Sequence, residues 1–252
     1  MADTRSAPRW DWVREIIREP LRLLVERLQA ALGDNLQSVT VVGSSLTDDF
    51  QPGVSDINTV AVLGEHDVAT LNAVASLVRP MSRRNLSPPL LMTPSYIDRS
   101  RDVFGVEFLD FQLTHATILG ADPFASLSMQ KTGVRLQCER ELKAMLVRLR
   151  QGYIAGGGNK RIVRDLLIST AKGLAPVARA MLWLKDIERP RTMGAALRKA
   201  AGEFHVDLDR VIAAERRRYE KRRPTDAEIE GTFALVLRAV DLLATTVDGF
   251  EL

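Results

Sequence analysis

Ser38–Leu63, SVTVVGSSLTDDFQPGVSDINTVAVL, is the stretch on which the reading of the fold turns. Ser38–Val42 is short and rich in β-branched residues, which predicts a strand. It runs into Gly43-Ser44-Ser45. Glycine there lets the backbone approach a ligand closely, and the hydroxyls and free N–H groups of a following helical turn can hold phosphate oxygens. After the loop to Ser55, Asp56–Leu63 predicts a second strand. Asp56 and Asn58 stand two apart on it, so their side chains share one face and can reach one metal centre or its surroundings.

Upstream, Val13, Ile16, Ile17, Leu21, Leu24, Leu28 and Leu32 recur at three- and four-residue steps, which predicts a helix, with Pro20 opening a second segment and Gly33 closing it. Downstream, Leu71, Val74, Leu77 and Val78 predict an amphipathic helix, and Leu90–Met92 and Phe104–Phe111 read as two further strands. Residues 1–124 are therefore expected to mix helix and strand. From Ala125 the strand signals stop. Three helical stripes follow: Cys138, Leu142, Met145, Leu149 and Tyr153; Val163, Leu166, Thr170, Leu174, Val177 and Met181; and Ile229, Phe233, Val236, Val240 and Leu243. Stripes of that length pack into a bundle, so residues 125–252 are expected to form a helical domain. Gly156–Gly158 reads as a helix–helix turn, since no strand precedes it and its distance to Lys160 is wrong for a P-loop.

Composition narrows the classes. The 252 residues are 46% hydrophobic and 27% charged, which excludes a fibre or a mostly disordered chain. No apolar run approaches the roughly 20 residues that cross a bilayer, and Met1–Arg9 lacks the apolar segment of a secretion signal, so a cytoplasmic address without membrane contact is expected. Cys138 has no partner for an internal disulfide, and with only His66, His115 and His205 beside it no Cys/His zinc site can be assembled. The net charge of +3 divides unevenly, with 11 basic and 16 acidic residues in 1–124 against 24 and 16 in 125–252. Halves of opposite sign suit a ligand that carries both metal and phosphate.

The motifs Val42-Gly43-Ser44, Asp56-Ile57-Asn58 and Val106-Glu107-Phe108 resemble, in order and spacing, the signature of the polymerase-beta-type nucleotidyltransferase superfamily. That signature is a hydrophobic residue with Gly and Gly or Ser, then an acid–hydrophobic–acid pair, then a third acid between hydrophobics on another strand. Leu109-Asp110-Phe111 also fits the third motif, and the order favours Glu107. The stretch Phe104–Phe124 looks like that of bacterial proteins with a nucleotidyltransferase domain, and the C-terminal half is similar to helical bundles of kanamycin-type nucleotidyltransferases and of HEPN domains.

The resemblance implies an α+β fold, an N-terminal mixed sheet with flanking helices followed by a basic bundle that closes over the site. It also implies transfer of a nucleotidyl group from a nucleoside triphosphate such as ATP, with Mg2+. Gly43, Ser44 and Ser45 would bind the nucleotide; Asp56, Asn58 and Glu107 would be catalytic; Asp56 and Glu107 would hold metal. The acceptor is open among a small hydroxyl or amine compound, a protein and an RNA end, and the reading leaves room for a homodimer. Asn58 departs from the pattern, because an amide is nearly isosteric with a carboxylate but brings no charge. Asp48 and Asp49 could restore charge or repel a triphosphate. The alternative is therefore a catalytically degenerate protein that binds a nucleotide or a partner, as an antitoxin does.

Two further features fit known patterns. Arg198 and His205 are separated by six residues, as in the Arg–His pair of HEPN ribonucleases, although Lys199 replaces the usual polar neighbour and Gly202 is expected to break the helix. The run Glu215–Arg223, ERRRYEKRR, sets six cations around Tyr219, as a phosphate-gripping surface or a solvated helix face.

Overall fold

The computed structural model of the chain describes residues 8–157, 159–216 and 225–251. It divides into two compact units, Met1–Arg101 with Phe108–Ser128, and Asp102–Glu107 with Met129–Leu252. The fold is α+β.

The first unit holds α1 (Glu15–Leu32), β1 (Leu36–Val42), β2 (Asn58–Leu63), α2 (Val68–Ser82), β3 (Leu90–Met92), α3 (Pro94–Arg99) and β4 (His115–Leu119). The strands form one mixed sheet in the order β3-β2-β1-β4. Central β1 runs antiparallel to β2 and β4, while β2 and β3 are parallel. A parallel pair needs a crossover, which α2 supplies. Its start is fixed by Asp67, whose carboxylate accepts the Thr70 N–H at 2.7 Å.

The two faces of the sheet differ. Val39, Val41, Ala61, Leu63, Ala116 and Ile118 join Ile17, Leu21, Leu24 and Leu28 of α1 and Val74 and Met81 of α2 in one hydrophobic core. Each fully buried aliphatic side chain contributes about 2 kcal/mol, so this face welds sheet and helices together. Alternation puts Ser38, Thr40, Val42, Val60, Val62 and Thr117 on the other face, where the Thr40 and Thr117 hydroxyls hydrogen-bond at 2.9 Å. At the exit of β4, Gly120 has φ +74°, and a Cβ there would lie 2.0 Å from the Gln37 carbonyl oxygen, so no other residue fits this turn.

Two expectations are corrected. Helix α1 runs through Pro20 without a break. The ring deletes one hydrogen bond, to the carbonyl of exposed Ile16, where water can replace it, and the buried stripe keeps the helix going across the gap. Phe104–Phe111 is not a strand. Helix α4 spans Gly105–Leu113, and the strand comes later, at His115–Leu119. In α4 the buried residues fall as Gly105-Val106 and Phe108-Leu109, a three-residue step that suits a helix, and a short apolar run carries no periodicity that separates the two states.

The second unit contains α5 (Lys131–Ala155), α6 (Lys160–Leu184), α7 (Met193–Phe204), α8 (Asp209–Arg216) and α9 (Asp226–Asp248), with no strand among its described residues. Cys138, Leu142, Met145 and Leu149 of α5, Leu174, Val177 and Met181 of α6, and Val236, Val240 and Leu243 of α9 are all buried. Asn159 caps α6 through the Arg161 N–H at 3.0 Å, and Thr225 with Glu228 forms a capping box on α9. Buried Arg179 donates to the carbonyls of Pro190 and Arg191 at 3.0 and 2.8 Å, tying the segment before α7 to α6. All but the first two residues of the cationic run at 215–223 lie outside the described residues. No helix among the described residues is long and apolar enough to cross a membrane.

Candidate active site

Val42 faces Asn58 in the last pair of the β1–β2 ladder, and the chain turns immediately after it. Gly43 makes that turn at φ +81°, and its N–H donates to the Thr114 carbonyl at 2.9 Å. A Cβ at Gly43 would meet nothing within 4 Å, so the backbone angle rather than space demands glycine. Residues 43–46 then form one tight helical turn, closed by Thr47, whose N–H and hydroxyl both donate to the Ser44 carbonyl at 3.0 and 3.1 Å. Ser44 is half-buried. Ser45 is fully buried and its hydroxyl has no partner, so the turn offers Ser44 to a ligand more readily than Ser45.

Asp56 stands just before β2. Between it and Asn58, buried Ile57 is pinned by two backbone bonds, its N–H donating to Asn85 at 2.7 Å and its carbonyl accepting from Ser87 at 3.1 Å. With Ile57 locked inward, Asp56 and Asn58 are both exposed on the opposite side. The intervening loop is held by Phe50, which is buried in the core, and by the Ser55 hydroxyl, which accepts the Gln51 N–H at 3.0 Å. The charge of Asp48 is already met by Arg14 at 2.6 Å. Asp49 donates its N–H to the Thr47 hydroxyl at 3.3 Å.

The third acid is where sequence and structure part. Glu107 and Asp110 both lie on α4, and none of the four strands carries a carboxylate. Glu107 belongs to the second unit, where its carboxylate accepts from Gln137 Nε2 at 2.6 Å. The other end of that buried amide accepts the Val106 N–H at 2.9 Å, so Gln137 grips the first turn of α4 by both arms. Cys138 beside it is inert, because burial and the charges of Glu107 and Glu141 push its thiol up to about 12.

His115 was not singled out in the sequence, yet β4 places it opposite Val42, in one row with Asn58. Its Nδ1 lies 2.9 Å from the Phe111 carbonyl and its Nε2 lies 2.8 Å from Asp122 Oδ2. Both partners only accept, so the ring nitrogen that carries the proton donates to whichever of the two it faces. Phe124 packs edge-on against the ring at 5.7 Å and donates its N–H to Asp122 Oδ1 at 2.9 Å. Burial pushes the Asp122 carboxyl up, but the bonds from His115 and Phe124 outweigh this and hold it below its ordinary value. The only sequence signal was a His opening a β-type run with an Asp seven residues on.

Asp56 and Asn58 supply one carboxylate and one amide oxygen. That donor set fits a single Mg2+ that arrives on the phosphates of a nucleotide and keeps most of its shell as phosphate and water. It does not fit a cluster of acids holding two ions. No group of three or more His, Cys, Asp or Glu that could hold a metal occurs among the described residues. In the second unit Arg198 is exposed on α7 and His205 lies past its end in a left-handed cap, the helix having continued through Gly202.

No family model matches the chain, and no curated protein matches it. Among solved structures it is similar to spectinomycin adenyltransferase AAD(9) from Enterococcus faecialis, crystallised with ATP and spectinomycin. The TM-score is 0.59 at 11% identity, over 88% of this chain and 98% of the other. At that identity the likeness shows a shared fold, the nucleotidyltransferase fold.

Proposed function

We propose that this chain binds a nucleoside triphosphate as its magnesium complex at the Gly43–Asn58 end of the sheet and transfers the nucleotidyl group to a small hydroxyl- or amine-bearing acceptor. The observation that carries the reading is the exposed pair Asp56 and Asn58, set on one face and one strand away from the turn at Gly43. The fold shared with an enzyme crystallised with ATP and a small antibiotic supports the same substrate classes. Gly43 brings backbone close to the phosphates, with the Ser44 hydroxyl beside it. Asp56 and Asn58 would hold the Mg2+, whose chemistry is neutralisation of the charge on the phosphates. Glu107, engaged by Gln137, has a structural part at the start of α4 in this reading.

A second reading is favoured by the absence of any carboxylate from the four strands, namely that the protein binds the nucleotide without transferring it. One experiment separates them. Calorimetric titration of Mg-ATP, Mg-GTP, Mg-CTP and Mg-UTP is paired with a pyrophosphate-release assay over a panel of small amino and hydroxyl acceptors. Binding with acceptor-dependent release, both lost in Asp56→Asn, supports transfer. Binding without release supports the second reading, and no binding of any nucleotide rejects both.

A further inference from the structure

The first unit contains a pocket of about 300 Å3 on the sheet face that also carries Val42 and Asn58, but at its other end. Ser38 and Val62, which pair across β1 and β2, line it. They lie four residues along β1 from the Val42–Asn58 pair, about 13 Å at ~3.3 Å per residue. Buried Thr40 and Val60 stand between, so the two places are distinct.

The lining has a definite chemistry. Val62, Ile97 and Leu127 give it an apolar wall, and Asp98 and Asp122 give it two carboxylates. No Lys, Arg or His lines it. Ser38 is only 3% exposed, and its hydroxyl, on the wall of the pocket, has no hydrogen-bond partner among the described residues. The hydroxyl opens onto the pocket, where the polar group of a ligand can hydrogen-bond it. Asp122 is held in place by His115 and Phe124 and keeps lone pairs to spare. Asp98 meets Arg101 at 2.9 Å in an exposed pair, which is worth little and can be exchanged.

We propose that this pocket is a second small-molecule site, selective for an amphipathic ammonium compound. An ammonium group brings three donors and no acceptor, the complement of carboxylate oxygens, and an apolar body would lie along Val62, Ile97 and Leu127. The volume is at the small end of ligand pockets, enough for one ring with a short amine arm.

The probe is tyramine, titrated calorimetrically into the full chain beside its neutral analogue 4-ethylphenol. The expected result is saturable one-to-one binding of tyramine, none of 4-ethylphenol at the same concentration, and about tenfold weaker tyramine binding to Asp98→Asn, one lost charge-assisted contact. Asp98 is exposed on α3, so this variant keeps the fold, and a thermal unfolding curve verifies it. Asp56→Asn, at the other end of the sheet, leaves tyramine binding unchanged whether or not the nucleotide reading stands. The proposal is overturned if tyramine fails to saturate, if 4-ethylphenol binds as well, if Asp98→Asn binds like the wild type, or if Asp56→Asn abolishes binding.

Discussion

Asn58 and Val42 close the β1–β2 ladder as a pair, so the amide that stands where a carboxylate is expected lies directly across from the residue that leads into Gly43. Asn58→Asp adds a charge at nearly unchanged volume on an exposed side chain next to exposed Asp56. Divalent-ion affinity at oxygen sites rises with the number of charged ligands. With ATP present, Mn2+ is expected to bind Asn58→Asp about tenfold more tightly than the wild type and Asp56→Asn more weakly, with little binding to any of the three without nucleotide. Mn2+ titration followed by electron paramagnetic resonance measures this. Equal affinity across the three proteins with ATP would show that the pair does not face the ion.

Gly43→Ala tests the turn. Space is open around the missing Cβ, so the whole cost is the left-handed φ of +81°, of the order of 1–2 kcal/mol. Urea unfolding is expected to show that loss. Nucleotide affinity is expected to fall further than stability accounts for, since relief of the strain shifts the turn that carries Ser44. A variant destabilised by this amount that still bound ATP as the wild type does would detach the turn from the phosphates.

For Glu107 the prediction is structural. Glu107→Gln removes a charged acceptor from buried Gln137 Nε2 but leaves a neutral one, so a loss of about 1 kcal/mol in stability is expected, with nucleotide affinity unchanged. Gln137→Ala, which frees both the Val106 N–H and the Glu107 carboxylate, is expected to cost about 2–3 kcal/mol. A Glu107→Gln protein of full stability with no transfer activity would return Glu107 to a catalytic part.

The placement of Asp56, Asn58 and the turn at Gly43 was legible because it depends on local rules. Strand alternation puts Asp56 and Asn58 on one face whatever they pack against, and glycine before a tight turn announces a backbone angle. The third element was not legible. Val106-Glu107-Phe108 alternates like a strand for three residues, and tertiary contacts decide otherwise. Gln137, thirty residues on, holds the Val106 N–H, and a Cβ on Gly105 would lie 2.8 Å from Val134. Neither contact leaves a mark in the local pattern. The bundle was legible from its stripes because an α-helical period repeated over five turns has no competing reading.

His115 and Asp122 give the last prediction, a pH dependence with a fixed sign. The folded protein holds the Asp122 carboxyl below its ordinary value of 3.8, so the unfolded chain binds the proton more readily. The stability this carboxylate contributes is therefore complete above pH values of about 4 and disappears as the pH falls through the lower folded value. Asp122→Asn removes the charge facing the His115 ring, whose side chain is only 17% exposed, and leaves one acceptor oxygen for two donors, His115 Nε2 and the Phe124 N–H. A loss of about 1–2 kcal/mol is expected at pH 7. Below pH values of about 4 the unfolded chain takes up the proton that the folded wild type resists, so the gap between the two proteins is expected to narrow as the pH falls. Urea unfolding of both proteins at pH 7, 5, 4 and 3 measures it. A gap that stays constant over that range would mean that the Asp122 charge does not stabilise the fold.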